Sequence, residues 1–123
     1  MYEQLTTPAV IIDLDRTERN IARMAEKLKT YGIAHRPHIK THKSVALARK
    51  QLAAGAVGIT AAKLSEAEVF ADAGISDILI AFPIVGADKL ERFARLHRRI
   101  AVTTTVDSVE GARGLSNVGS QSG

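Results

Sequence analysis

Apolar residues along this chain recur in two periods that take turns. The run PAVIIDLD at 8–15 reads as a strand, and the residues after it set Ile21, Met24, Ala25 and Leu28 on one helical face. Asp15, with Glu18 three residues on, makes a capping-box pattern for the start of that helix, and Gly32 offers a left-handed stop. The pattern then repeats. IAHRPHIK predicts a strand followed by a helix over 44–54 that Gly55 ends. VGITAAK predicts another, followed by a helix with Ser65 as cap, Glu68 as its reciprocal partner and Gly74 as its stop. DILIAFP leads into a helix through Leu90, Phe93, Ala94 and Leu96, and IAVTTTVD into a short helix opened by Asp107 and Glu110. The closing GLSNVGSQSG is rich in Gly and Ser without an apolar period, so residues 116–123 read as a flexible tail.

Strands alternating with helices predict a parallel sheet, because parallel neighbours need a crossover and a helix is the usual one. DILIAF is apolar on both faces, as expected of a strand covered on both sides. The strand ends Lys40, Lys63, Pro83 and Asp107 recur at roughly two dozen residues, a spacing that suits the short units of a (β/α)8 barrel. Such a barrel takes about 250 residues. With 123 residues, the expected fold is α/β, a partial TIM barrel covering about the first half. A doubly wound open sheet fits the rhythm almost as well, although no G-x-G-x-x-G follows any strand.

Composition narrows the chemistry. The chain has no cysteine, which excludes disulfides and thiolate metal sites, and no apolar run approaches the roughly 20 residues that span a bilayer. MYEQLTTP has neither a basic nor an apolar leader region, so a cytoplasmic location without a membrane partner is expected. The net charge of +4 invites a nucleic-acid reading, but Arg92, Arg95, Arg98 and Arg99 lie on one helix, and 4% aromatic content is a poor base-stacking platform. A solvated helix face accounts for them, and no nucleic-acid partner is expected.

Chemistry concentrates in IAHRPHIK. Strand alternation puts Arg36, His38 and Lys40 on one face and Ile33, His35, Pro37 and Ile39 on the other. If the aliphatic face meets the helices, the three basic groups point into the barrel, an arrangement that needs an anion, a carboxylate or water among them. Lys40 comes last, at the strand end where barrel active sites lie. Crowded by cations and partly desolvated, such a lysine tends toward the neutral amine that attacks an aldehyde. Spacing alone fits a strand-end lysine reaching solvent as well. Pro37 withdraws a donor, so a bulge or break is expected there.

RPHIKTHK at 36–43 resembles the cofactor-lysine motif of the D-threonine aldolase and D-serine dehydratase family, fold-type III pyridoxal-phosphate enzymes related to the alanine racemase N-terminal domain. TPAVIIDLDRTERNIARM, AAKLSEAEVFADAGISDILIAFPIVG and TVDSVEGAR resemble the same family in the same order, over residues 7–115. The resemblance implies that Lys40 binds pyridoxal 5'-phosphate covalently, with His38 and Arg36 beside it and Thr60 near the ring. For His38 and Thr60 a satisfied interior hydrogen bond is an equally good account. His42 caps a turn or meets solvent, Asp107 caps its helix, and Lys63 faces the mouth.

The resemblance also implies a division of the chain. Residues 1–14 would form a strand that pairs with a C-terminal β-domain, 15–115 the partial barrel, and 116–123 the tail. The expected activity is that of a lyase on D-β-hydroxy amino acids, by retro-aldol cleavage or loss of water, assisted by a divalent metal whose ligands lie in the C-terminal β-domain. His35, His38, His42 and His97 make no metal cluster of their own. An amino-acid racemase, a non-enzymatic pyridoxal-phosphate-binding protein and a cofactor-free anion-binding fragment are the alternatives. The partner expected is a small D-amino acid, with a homodimer at full length. The fragment alone is expected to be inactive and to bind the cofactor weakly or not at all.

Overall fold

Local chemistry sets where each helix begins and ends. The computed structural model describes residues 3–122. It places α1 at Leu14–Thr30, and the Asp13 carboxylate caps it by accepting the Arg16 N–H at 2.9 Å. Asp13, not the expected Asp15 and Glu18 pair, takes this role because it is still extended while both later acids are already inside the helix. Gly32 closes α1 at a φ of 64°, where a side chain would be penalised. α2 (Val45–Ala53) starts on Ser44, whose Oγ accepts the Leu47 N–H at 3.3 Å.

α3 (Leu64–Asp72) departs from the expected Ser65 and Glu68 box. It begins earlier, with Lys63 in the cap position, and Glu66 turns back to accept the Ala62 N–H at 2.9 Å. Glu68 instead receives a forked pair of hydrogen bonds from Arg92, at 3.0 and 2.5 Å. α4 (Ala87–His97) buries Phe93 and Leu96. α5 (Val109–Ser122) is capped by Ser108, whose Oγ accepts the Gly111 N–H at 3.0 Å, so Asp107 is not its cap. The stretch expected to be a tail continues this helix through Ser122, because Leu115 and Val118, one turn apart, pack against the core.

Three short parallel strands, β1 (Ile59–Ala61), β2 (Asp77–Ile80) and β3 (Ala101–Thr104), form one sheet in that order. His38 adds a fourth position through a parallel bridge to Thr60. The predicted strand at 33–40 is reduced to this bridge: Val57 N–H reaches the His35 carbonyl at 2.9 Å, Thr60 N–H the Pro37 carbonyl at 2.7 Å, and Ile39 N–H the Thr60 carbonyl at 2.8 Å. Pro37 has no N–H to give the ladder. The strands neighbour one another in chain order with no reversal among the described residues, which fits the expected partial barrel.

The face with Ile39, Ile59, Ile78 and Ile80 meets α3 and α4, and these four side chains are fully buried with Leu96. Each contributes about 1.5–3 kcal/mol by leaving water. The opening apolar run makes no strand. Residues 9–13 pair with no other segment among the described residues, and Val10 is 95% exposed. Among the described residues no helix is long and apolar enough to cross a membrane.

Candidate active site

Register stacks the uncovered face of the sheet into levels. His38, Thr60, Leu79 and Thr103 lie abreast through the bridge and the two ladders. Two residues earlier on each segment come Arg36, Gly58, Asp77 and Ala101, and two residues later Lys40, Ala62, Ala81 and Thr105. Arg36, His38 and Lys40 therefore share a face, as expected, while Pro37 and Ile39 are buried on the other.

The lowest level is closed by an ion pair. Arg36 donates from Nη1 and Nη2 to the two Asp77 oxygens at 2.7 and 3.0 Å, crossing in front of Gly58. A Cβ on Gly58 would stand 2.1 Å from Arg36 Nη1 and 2.7 Å from the Asp77 carbonyl oxygen, which is why this buried position carries no side chain. Arg36 thus already has its counter-ion, in a fork that favours a carboxylate.

At the middle level, Thr60 is 7% exposed and its hydroxyl donates to the Arg36 carbonyl at 3.4 Å. His38 Nδ1 accepts the Lys40 backbone N–H at 3.2 Å, leaving the ring proton of the neutral form on Nε2. Burial and then the neighbouring Lys40 charge push the His38 pKa below its ordinary 6.5, against the Glu66 carboxylate and the Thr60 backbone. Lys40 ends the segment. It is exposed, and among the described residues it has no ion-pair partner.

The turn after Lys40 is shaped by its own residues. Lys43 N–H reaches back to the Ile39 carbonyl at 2.8 Å, and Lys43 takes a φ of 45°. His42 caps the turn, its Nδ1 accepting the Ser44 N–H at 3.0 Å. The Lys43 ammonium lies 3.2 Å from Glu66, whose side chain is only 10% exposed. Desolvation raises the Glu66 pKa, but the Ala62 N–H, the Lys43 hydrogen bond and charge, and Lys63 outweigh it, so the carboxyl titrates below its ordinary 4.5.

The remaining candidates lie elsewhere. Lys63 is exposed and lines a separate groove of about 360 Å³ with Phe82, Pro83 and Lys89. His97 stacks on Phe93 with ring centroids 6.2 Å apart, and no group of three metal-ligating side chains occurs among the described residues. Three of the four clustered arginines are matched by acids: Arg92 with Glu68, Arg95 with Glu91 and Arg99 with Asp72.

A family model for the alanine racemase N-terminal domain matches residues 12–123. The chain belongs to that family. The D-threo-3-hydroxyaspartate dehydratase of Delftia sp. (strain HT23) is 46% identical over 97% of this chain and 31% of its own length. The 3-hydroxy-D-aspartate aldolase of Paracoccus denitrificans is 43% identical over 92% of this chain and 30% of its own. The crystal structure of D-threonine aldolase from Filomicrobium marinum superposes with a TM-score of 0.91 at 44% identity, covering 95% of this chain and 32% of that one. This member of the alanine racemase N-terminal domain family therefore spans about a third of the length of these relatives.

Asp77, Gly58 and Glu66 were not among the site residues expected from sequence. Asp77 meets Arg36 only once strand order and register are known. Glu66 left a local trace, three residues after Lys63 where a strand gives way to a helix.

Proposed function

We propose that this chain supplies the cofactor-lysine portion of a pyridoxal-phosphate-dependent lyase acting on D-3-hydroxy amino acids, with Lys40 as the covalent attachment point. The observation that carries the reading is an amine with no ion-pair partner among the described residues at the C-terminal end of the first strand position, within the motif RPHIKTHK, on the face that also holds His38 and Thr60. The residues present fit the group. The two positions that follow Lys40 across its own level, Ala62 and Ala81, are small, which leaves room for a flat ring. His38 presents an Nε2–H donor because Nδ1 is occupied.

When bound, pyridoxal phosphate supplies the electron sink that lets a bond at the amino-acid Cα break. The chain's own residues do the rest. Lys40 Nζ would hold the cofactor, and its amine would move a proton near the amino-acid Cα. His38 and Thr60, on the same face, would orient the group. Arg36, held by Asp77 in a neutral pair, would close the floor of the site. A divalent metal acting as a Lewis acid at the β-hydroxyl, a homodimeric whole enzyme and a cytoplasmic setting belong to the same proposal.

The test is a chimaera in which residues 12–122 replace the matching third of the Delftia dehydratase. It should show the visible absorption band of lysine-bound pyridoxal phosphate and turn over D-threo-3-hydroxyaspartate or D-threonine, with chelator reducing turnover. Lys40→Ala should abolish the band and lower turnover by about a thousandfold or more. Retained band and activity in that variant would refute the assignment, and turnover of D-alanine alone would point to a racemase. The 123-residue chain by itself should show neither robust cleavage nor a stable band.

A further inference from the structure

The turn that follows Lys40 is held from outside by a carboxylate to which no role has yet been assigned. Lys43 occupies the left-handed region at φ 45°, a strained conformation for a residue with a side chain that persists only where its surroundings hold it there. Two contacts do so. Its N–H bonds to the Ile39 carbonyl at 2.8 Å, and its ammonium reaches Glu66 Oε1 at 3.2 Å. The other Glu66 oxygen, Oε2, accepts the Ala62 N–H at 2.9 Å, at the first residue past β1. One nearly buried carboxylate thus ties the turn after Lys40 to the end of the neighbouring strand. The Lys43 side chain is 60% exposed, so its charge alone adds little, but the carboxylate is 10% exposed and is held by a backbone hydrogen bond as well.

We propose that Glu66 is a positioning residue for Lys40: it locks the strained Lys43 turn and so fixes where the lysine leaves the sheet. The proposal rests on the assignment of Lys40 as the cofactor lysine. Glu66 touches neither Lys40 nor substrate and acts through Lys43 and Ala62. A loosened turn would let the Lys40 amine wander from its level, and misplacement of a reacting group by about 1 Å costs up to about a hundredfold in rate.

Two variants separate the tether from folding. Glu66→Gln keeps an oxygen for the Ala62 N–H and removes the charge. Lys43→Gly keeps the left-handed turn without strain and removes the ammonium. In the 123-residue chain, amide exchange at position 43 should quicken by about tenfold in Glu66→Gln, and the His38 titration followed by NMR should move to lower pH. In the chimaera, both variants should lower kcat by about tenfold with KM little changed, and Glu66→Asp should not restore it because the shorter side chain cannot span both contacts.

Unchanged exchange and an unchanged His38 titration in Glu66→Gln would overturn the tether. Altered exchange with unaltered kcat would overturn its link to Lys40. A parent chimaera without the visible band would overturn the cofactor assignment instead, leaving the exchange result to judge the tether on its own.

Discussion

Gly58 shows how much one missing side chain can decide. The Arg36–Asp77 fork passes where its Cβ would be, 2.1 Å from Arg36 Nη1. Gly58→Ala should therefore cost about 2 kcal/mol, read as a lowered urea midpoint, because a packed and paired neighbour must move. Combining it with Arg36→Ala should cost less than the sum of the two single changes, since the clash with the guanidinium disappears while the 2.7 Å approach to the Asp77 carbonyl remains. The proton chemistry of His38 and Glu66 sets the pH response. His38 titrates below its ordinary 6.5 when folded, so from that pH downward the unfolded chain binds the proton first and stability falls. Glu66 titrates below its ordinary 4.5, so its contribution is complete above that pH and is lost as pH falls through the lower folded value. Urea midpoints measured across pH should show both declines, and Glu66→Gln should remove the lower one. At this scale the basic face was legible: alternation alone grouped Arg36, His38 and Lys40. Their partners were not, because Asp77 lies 41 residues from Arg36 and only the sheet brings them together.

Helix ends followed local chemistry where one residue could supply it. Ser44 caps α2 as its type and place suggest, and Ser44→Ala should cost about 1 kcal/mol in chemical unfolding. Caps were misplaced where two acids competed. The Asp15 and Glu18 spacing is as good as any, but Asp13 is the residue whose backbone is still extended when the helix begins. Glu68 has the spacing of a reciprocal partner to Ser65, yet Arg92 on α4 claims it. The end of α5 is a case of packing overriding composition. Gly and Ser lower intrinsic helicity, while Leu115 and Val118 supply an apolar stripe that the core accepts. Pro37 worked the other way, removing a donor and reducing a predicted strand to a bridge.

Among the described residues the sheet has two open edges, one along 36–39 and one along β3, and an uncovered face carrying Leu79 and Thr103. Exposed strand edges recruit further strands. The 123-residue chain should therefore self-associate with rising concentration in sedimentation velocity runs, and a chimaera that completes the barrel should not show that behaviour. The sequence by itself determined the alternation of strand and helix, the face on which Lys40 lies and the resemblance on which its proposed chemistry rests, because these depend on period and on contiguous residues. Tertiary structure alone decided the strand order that makes this a barrel segment, the Arg36–Asp77 pair across Gly58 and the Glu66 tether behind the lysine turn. Each of those joins residues far apart in the chain, and no local periodicity encodes which distant partner a side chain will meet.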